Sequence, residues 1–215
     1  MFFTSYAGNK LVDAYRRGQA ITFPASTQSF GLLTTTNGPR ANSTAYALNN
    51  TVSVTANDGK THLYKCTTAG TTAASQASLY PGSISEAITD GTAVFTEQYA
   101  ALKAGIGGAV VEASYSGYAR ATLAASLANF SGTQGAGTTV ASSGTGAITS
   151  SNNSALTFGS TAASGPTYVW AVGTFDAATA GNLWDIDPMA SPQTVNNGSP
   201  APTSAISAIS CQLDV

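Results

Sequence analysis

Two periodicities divide the chain, and the first one ends at Gly18. Between residues 3 and 17 the apolar positions Phe3, Ala7, Leu11 and Ala14/Tyr15 recur three or four apart, while Asn9, Lys10, Asp13, Arg16 and Arg17 occupy the other faces. That spacing predicts one amphipathic helix, closed by Gly18, the residue type that accepts a left-handed conformation after a last turn. Beyond it the pattern switches to alternation. Residues 29–35, Val52 and Val54 among Thr51, Ser53 and Thr55, residues 63–66, and Val94-Phe95 read as strands fenced by Asn57-Asp58-Gly59 and Asp90-Gly91 turns. Residues 109–114, 118–127, 155–158, 167–175, 182–186 and 205–215 continue the series, the last with Ile209, Cys211, Leu213 and Val215 on one face. Many short strands at this spacing predict an all-β fold, a jelly-roll-like β-sandwich with one short N-terminal helix.

Two stretches depart from simple alternation. Residues 131–154 are rich in Gly, Ser and Thr, with Val140 and Ile148 as the large apolar exceptions, which predicts a long surface excursion or an arm ordered against a neighbour. Residues 167–175 are apolar on both faces, Tyr168, Trp170 and Val172 on one and Val169, Ala171 and Phe175 on the other. Such a strand is either central, under the N-terminal helix, or covered by another subunit. Tyr168, Trp170, Val172, Val140 and Ile148 are therefore the candidate interface residues.

Composition sharpens this picture. The 215 residues include 8 Lys+Arg, 10 Asp+Glu and a single His, and about a quarter are Ser or Thr. Monomeric domains usually keep water-facing surface densely charged, so a weakly charged chain is expected to place much of its surface against other subunits. The length permits a real core, and 8 Phe, 9 Tyr and 2 Trp are too many for a wholly unfolded chain. A net charge of −2 lacks the cationic footprint that phosphate binding needs, so nucleic acid is not an expected partner. The Arg16-Arg17 pair fits the C-terminal end of the predicted helix. No apolar run reaches membrane-spanning length and no leader pattern opens the chain, so a soluble, untargeted protein without a membrane partner is expected. Cys66 and Cys211 are too few for a disulfide framework and wrongly spaced for zinc, and read as small buried hydrophobes.

Candidate chemistry is sparse. His62 follows Asp58-Gly59-Lys60-Thr61 and reads as a surface residue beside a turn; as a base it would need Asp58 or Asp90 to orient it and a serine nucleophile, for which no local motif exists. Asp176, Asp185 and Asp187 could form a carboxylate pair or a calcium site, but Asp176 opens a turn and the other two precede Pro188 at a strand end. Ile106-Gly107-Gly108 lacks the context of a phosphate loop. No enzyme activity, cofactor or metal is expected.

Several segments, taken in order, carry a family resemblance. The run from Tyr6-Ala7-Gly8-Asn9-Lys10-Leu11 to Arg17-Gly18, then Phe30-Gly31-Leu32-Leu33-Thr34-Thr35, Tyr118-Ala119-Arg120, Ala155-Leu156-Thr157-Phe158, residues 172–183 and residues 192–198 resemble a family of tailed-bacteriophage virion proteins labelled tail-fibre or structural proteins. Between them, Tyr64-Lys65-Cys66-Thr67-Thr68-Ala69-Gly70-Thr71 and Asp90-Gly91-Thr92-Ala93-Val94-Phe95 resemble a small β module recurring in phage structural proteins, with Phe95 where Trp is more usual.

The resemblance implies a virion subunit, assembled in the host cytoplasm, and supplies no catalytic residue. The expected organisation is a first part of the sandwich at 1–53, an inserted small β module at 54–100, and the remainder of the sandwich at 101–215. The expected role is that of a capsid decoration protein or a tail fibre, collar or baseplate component, contacting other virion proteins and copies of itself. The alternative is a carbohydrate-binding module recognising a host surface glycan, with Tyr64, Tyr80, Phe95 or Trp184 as a stacking platform.

Overall fold

The computed structural model describes residues 2–20, 27–76, 80, 82, 87–104, 110–133, 143 and 148–213. In chain order its elements are β1 (Phe2–Phe3), α1 (Ser5–Arg17), β2 (Thr27–Thr35), β3 (Ala45–Tyr46), β4 (Thr51–Thr55), β5 (Thr61–Thr68), β6 (Gly70–Thr71), β7 (Ala87–Asp90), β8 (Ala93–Glu97), α2 (Tyr99–Lys103), β9 (Ala121–Ala124), β10 (Ile148–Ser151), β11 (Leu156–Thr157), β12 (Thr167–Phe175), β13 (Leu183–Val195), β14 (Thr203–Ser204) and β15 (Ser210–Leu213). The fold is all-β, a sandwich of antiparallel sheets with one N-terminal helix of more than two turns.

The helix begins two residues later than its periodicity suggests. Phe2 and Phe3 pair with Ile186 and Asp185 as an edge strand, and Thr4 separates strand from helix. The buried Thr4 hydroxyl accepts the Ala7 N–H and donates to the Leu183 carbonyl at 2.6 Å, so one side chain caps the helix and ties it to β13. At the other end Gly18 adopts φ 63° and its N–H reaches the Asp13 carbonyl, as the sequence predicts. Tyr15 is 80% exposed, off the buried stripe, with the Arg16 guanidinium 4.8 Å above its ring.

A five-stranded sheet in the order β1-β13-β12-β2-β9 carries cores on both sides. On one face Phe30, Leu32, Val169 and Val172 pack with Ala113, Tyr115, Leu156, Phe158 and Val195; on the other Leu33, Trp170, Ala171, Phe175, Leu183 and Ile186 gather. The strand β12 is central and both of its faces are covered by its own chain, which decides between the two readings of its double apolarity. The face assignment itself changes. Val169 lies opposite Thr34 and Ala171 opposite Leu33, so Trp170 is an extra residue in the ladder, a β-bulge. Trp170 therefore joins Ala171, and Val172 faces the opposite core with Val169.

Of the candidate interface residues, Trp170 and Val172 are 2% and 8% exposed inside their own chain, which leaves little of either for a neighbour to cover. Tyr168 is partly buried, with its ring against Gly38. Val140 lies outside the described residues. Ile148 begins β10, whose backbone pairs with β15 in the register Ile148 to Leu213, a strand inside the stretch expected to be an excursion. Beside it the buried Asn152 side chain donates to the Ser154 and Ala205 carbonyls and accepts the Ile209 N–H, fastening the end of that stretch to the C-terminal segment.

A second, four-stranded sheet runs β4-β5-β8-β7 around Tyr46, Val52, Val54, Tyr64, Cys66, Tyr80, Ile88 and Phe95. Its first strand starts at Thr51, because Thr51–Thr55 pair in unbroken register with Lys65 to Thr61. The chain leaves β2 after Thr35 and rejoins the same strand where Leu33 bridges Glu112, so both ends of this excursion meet at one place on β2. Leu63 of β5 and Leu102 of α2 turn away from the second sheet's own core and pack with Trp170.

Candidate functional site

Where the two sheets meet, a cleft of about 450 Å³ opens. The turn between β4 and β5 brings Asp58 and Lys60, β5 brings His62, the end of β8 brings Glu97, α2 brings Tyr99, β1 brings Phe2, and β13 brings Asp187 to Ala190; Leu63, Leu102 and Trp170 also line it.

His62 is its chemical centre. Its Nε2 lies 3.0 Å from Asp58 Oδ2 and its Nδ1 3.3 Å from Glu97 Oε1. An imidazolium would donate from both ring nitrogens and so satisfy both contacts at once, whereas a neutral ring could donate from only one. The Glu97 hydrogen bond, opposed by burial and reinforced by Asp58, holds His62 above the usual histidine value. Burial pushes Asp58 up, but the Lys60 N–H and His62 outweigh it and hold its carboxyl below the usual value. Glu97 is almost wholly buried; its other oxygen accepts the Tyr99 N–H at 2.8 Å and so shapes the start of α2. A histidine engaged on both nitrogens has no acceptor left for a hydroxyl proton, so this arrangement suits binding and positioning better than nucleophile activation.

Sequence reasoning named Asp58 as a partner of His62 and missed Glu97. The signal was present: Ala93, Phe95 and Glu97 are successive inward positions of one alternating strand, and a carboxylate there demands a partner. Asp90, the other proposed orienter, belongs elsewhere. It is fully buried and takes Arg40 Nε at 2.8 Å and Nη2 at 3.0 Å, the Ala73 N–H at 2.8 Å and the Tyr80 hydroxyl at 2.8 Å. Burial raises its pKa, but Arg40 and the two hydrogen bonds outweigh that and bring it below the usual value. Arg40 also bonds Asn42 and the Ala73 and Ser75 carbonyls, locking the loops around the second sheet.

The proposed stacking platform is corrected outright. Tyr64, Tyr80 and Phe95 are 0% exposed and Trp184 is 5% exposed. A sugar needs an open ring face, and these rings spend theirs on one another: Tyr64 meets Tyr80 edge-on at 4.8 Å, and Trp184 meets Tyr6 at 5.5 Å. The three aspartates separate as well. Asp176 accepts the backbone and side-chain amides of Asn182 and the Tyr6 hydroxyl, a turn cap that also anchors α1. Asp185 accepts the Thr174 hydroxyl, and burial with Asp187 nearby raises its pKa to about 6. Among the described residues no group of three or more His, Cys, Asp or Glu is arranged to hold a metal, and no helix is long and apolar enough to cross a membrane. Cys66 is free and buried; the Cys211 side chain and residues 106–108 lie outside the described residues.

The segments that carry the family resemblance converge on a different place. Arg120 grips Glu112 with Nε and Nη2 at 2.8 and 2.7 Å, gives Nη1 to the Ala177 and Ala180 carbonyls, and lies 3.5 Å over the Phe175 ring. The Tyr118 hydroxyl donates to Glu112 and accepts the Leu32 N–H. A Cβ on Gly31 would meet Phe175 at 2.8 Å, Glu112 at 2.9 Å and Tyr118 at 3.0 Å, so only glycine fits. A family model described as podophage GP4 fiber I protein gp80 matches residues 85–212. The chain belongs to this family. Its members' description makes the protein a tailed-phage fibre protein, associated with the virion and with other virion proteins. The matched region of this fibre protein takes in β7, β8 and α2 as well as β9 to β14 and most of β15, so it contributes to the cleft from both sheets. No curated protein matches the chain.

Proposed function

We propose that the chain is a non-catalytic structural subunit of the fibre, assembling with copies of itself and with neighbouring virion proteins through contact area rather than charge. The observation that supports this is where the few charges go. Arg40 with Asp90, Arg120 with Glu112, and His62 with Asp58 and Glu97 are spent on internal pairs. Beside exposed charges such as Lys10, Arg16, Arg17, Lys60 and Lys103, the surface keeps large apolar side chains: Tyr15 is 80% exposed, Leu48 58%, Val12 and Ile206 57%, and Leu127 53%. Each Å² of such surface covered by a neighbour contributes about 25 cal/mol, and a stable interface covers on the order of 1,600 Å². The fibre description favours this placement over decoration of the capsid or a place in the collar or baseplate.

Light scattering on the purified protein and cryo-electron microscopy of the particle test the reading. A defined oligomer in solution, loosened by Val12→Asp with Tyr15→Asp on the outer face of α1, is expected. A monodisperse monomer that also fails to associate with phage particles would overturn it.

A further inference from the structure

We propose that a charge-free end of the molecule, formed by residues 124–128 and 205–208, is the surface on which a second copy of this chain docks. The inference rests on the structural-subunit reading and says which surface that reading puts into contact.

The sequence withholds charge from this end twice. Arg120 and Asp176 bound a run of 55 residues without Asp, Glu, Lys, Arg or His, and Asp187 and Asp214 bound another of 26. Soluble domains average about 25% charged residues and this chain has 8%, but these two runs have none.

The fold brings the two runs together. β10 pairs with β15 and β11 with β14, so each of these small sheets takes one strand from each run. Their hub is the buried Asn152 with its neighbour Asn153. Asn152 holds the later run through its side chain, bonded to Ala205 and Ile209, and through its backbone carbonyl, which accepts the Ser207 N–H at 2.8 Å. Asn153 holds the earlier run: its N–H donates to the Asn129 carbonyl at 2.7 Å and its side chain to the Ala128 carbonyl at 2.9 Å. The Asn129 side chain in turn donates to the Ala124 carbonyl at 2.9 Å. Residues 124–128 and 205–208 therefore flank one hub and are fixed in shape before any partner arrives, which lowers the entropy lost on docking.

All nine residues of the two segments are exposed. Leu127 and Ile206 stand among five alanines, and Ser126 and Ser207 supply the polar side chains. A charged partner would lose hydration here and find no opposite charge to replace it. A second copy of the same surface meets no such loss. Symmetric contact sets identical groups side by side, which repels where they are charged and does not where they are neutral, and the cores of self-association interfaces are correspondingly apolar and poor in charge.

The test measures the oligomer of the full-length protein by light scattering and sedimentation over a dilution series, at low and high salt. The dissociation constant should change by less than about twofold between roughly 0.05 and 0.5 M salt, because no charged group of these segments is there to be screened. Leu127→Asp with Ile206→Asp should raise it at least tenfold. If that variant does not fold, Ala125→Arg with Ala208→Arg, also at exposed positions, carries the same expectation. An oligomer unmoved by either folded variant, whether or not the variant still joins phage particles, or one that dissociates in salt, overturns the inference and leaves the structural-subunit reading standing. A protein monomeric at every concentration overturns the inference as well, and removes the subunit reading only if it also fails to associate with phage particles.

Discussion

Arg120 and Glu112 hold each other through two parallel hydrogen bonds of 2.7 and 2.8 Å, and the same guanidinium closes the turn after β12 by binding the carbonyls of Ala177 and Ala180. One side chain thus joins the segment around residues 112–120 to the turn some sixty residues further along the chain. Burial pushes Glu112 up in pKa, but Arg120 and the Tyr118 hydroxyl outweigh it, so the carboxylate sits below its usual value. Replacing Arg120 by Ala leaves a partly buried carboxylate unpaired and should cost about 3 kcal/mol, measured by urea unfolding. Arg120→Lys should recover little of this, because an ammonium cannot reproduce the two-pronged grip. A loss under about 1 kcal/mol for Ala would show that the pair does not hold this corner.

Leu63 belongs to the second sheet by sequence and to the Trp170 cluster by packing. Leu63→Ala should cost about 2–5 kcal/mol and lower the stability of both sheets together, as a cavity at a shared core does. Calorimetry distinguishes the cases. Two transitions, with the main one unmoved by the substitution, would mean that the second sheet is an independent satellite. Trp170→Asp, for the same reason, tests folding and not assembly.

Asp185 is a destabilising charge at neutral pH. Its folded pKa of about 6 lies above the unfolded value, so its contribution is full below that unfolded value, near pH 4, and is lost as the pH rises through about 6. Asp185→Asn should therefore raise stability at pH 7 by about 1–3 kcal/mol and flatten the pH dependence between roughly 4 and 6. An Asn that destabilises at pH 7 would refute the assignment.

His62 acts in the next window. Its folded pKa is raised by Glu97, with Asp58 helping and burial opposing, so its contribution is full below the unfolded value and disappears as the pH rises through the folded one. Lys60 and Asp187 are the other charged groups lining the cleft. Melting temperature should fall from slightly acidic pH toward alkaline pH, and His62→Gln should remove the part of that slope above the usual histidine value. Identical slopes in the two proteins would show that the imidazolium is not held as described.

Local chemistry accounts for what was legible in the sequence. The period of α1 and its Gly18 end, the alternation of β4 and β12, and the Asp-Gly turns are near-neighbour properties, set by backbone geometry and by which face must avoid water. The low charge and the ordered set of fibre-family segments were equally readable, and they pointed to the right class of protein. Pairings between distant segments were not, because they depend on register. A single bulged residue moved Trp170 to the face of Ala171, and reading strict alternation along β12 could not anticipate it. The aromatic residues chosen for a sugar were large and suitably typed, but the second core closed over Tyr64, Tyr80 and Phe95, and Trp184 is buried on β13 against Tyr6. The cleft was invisible for the same reason: Phe2, His62, Glu97, Tyr99 and Asp187 become neighbours only when the excursion from β2 folds back against Trp170. Residue type and local period decide which elements form and which faces seek cover, while the packing of distant strands decides which side chains are left facing a common space.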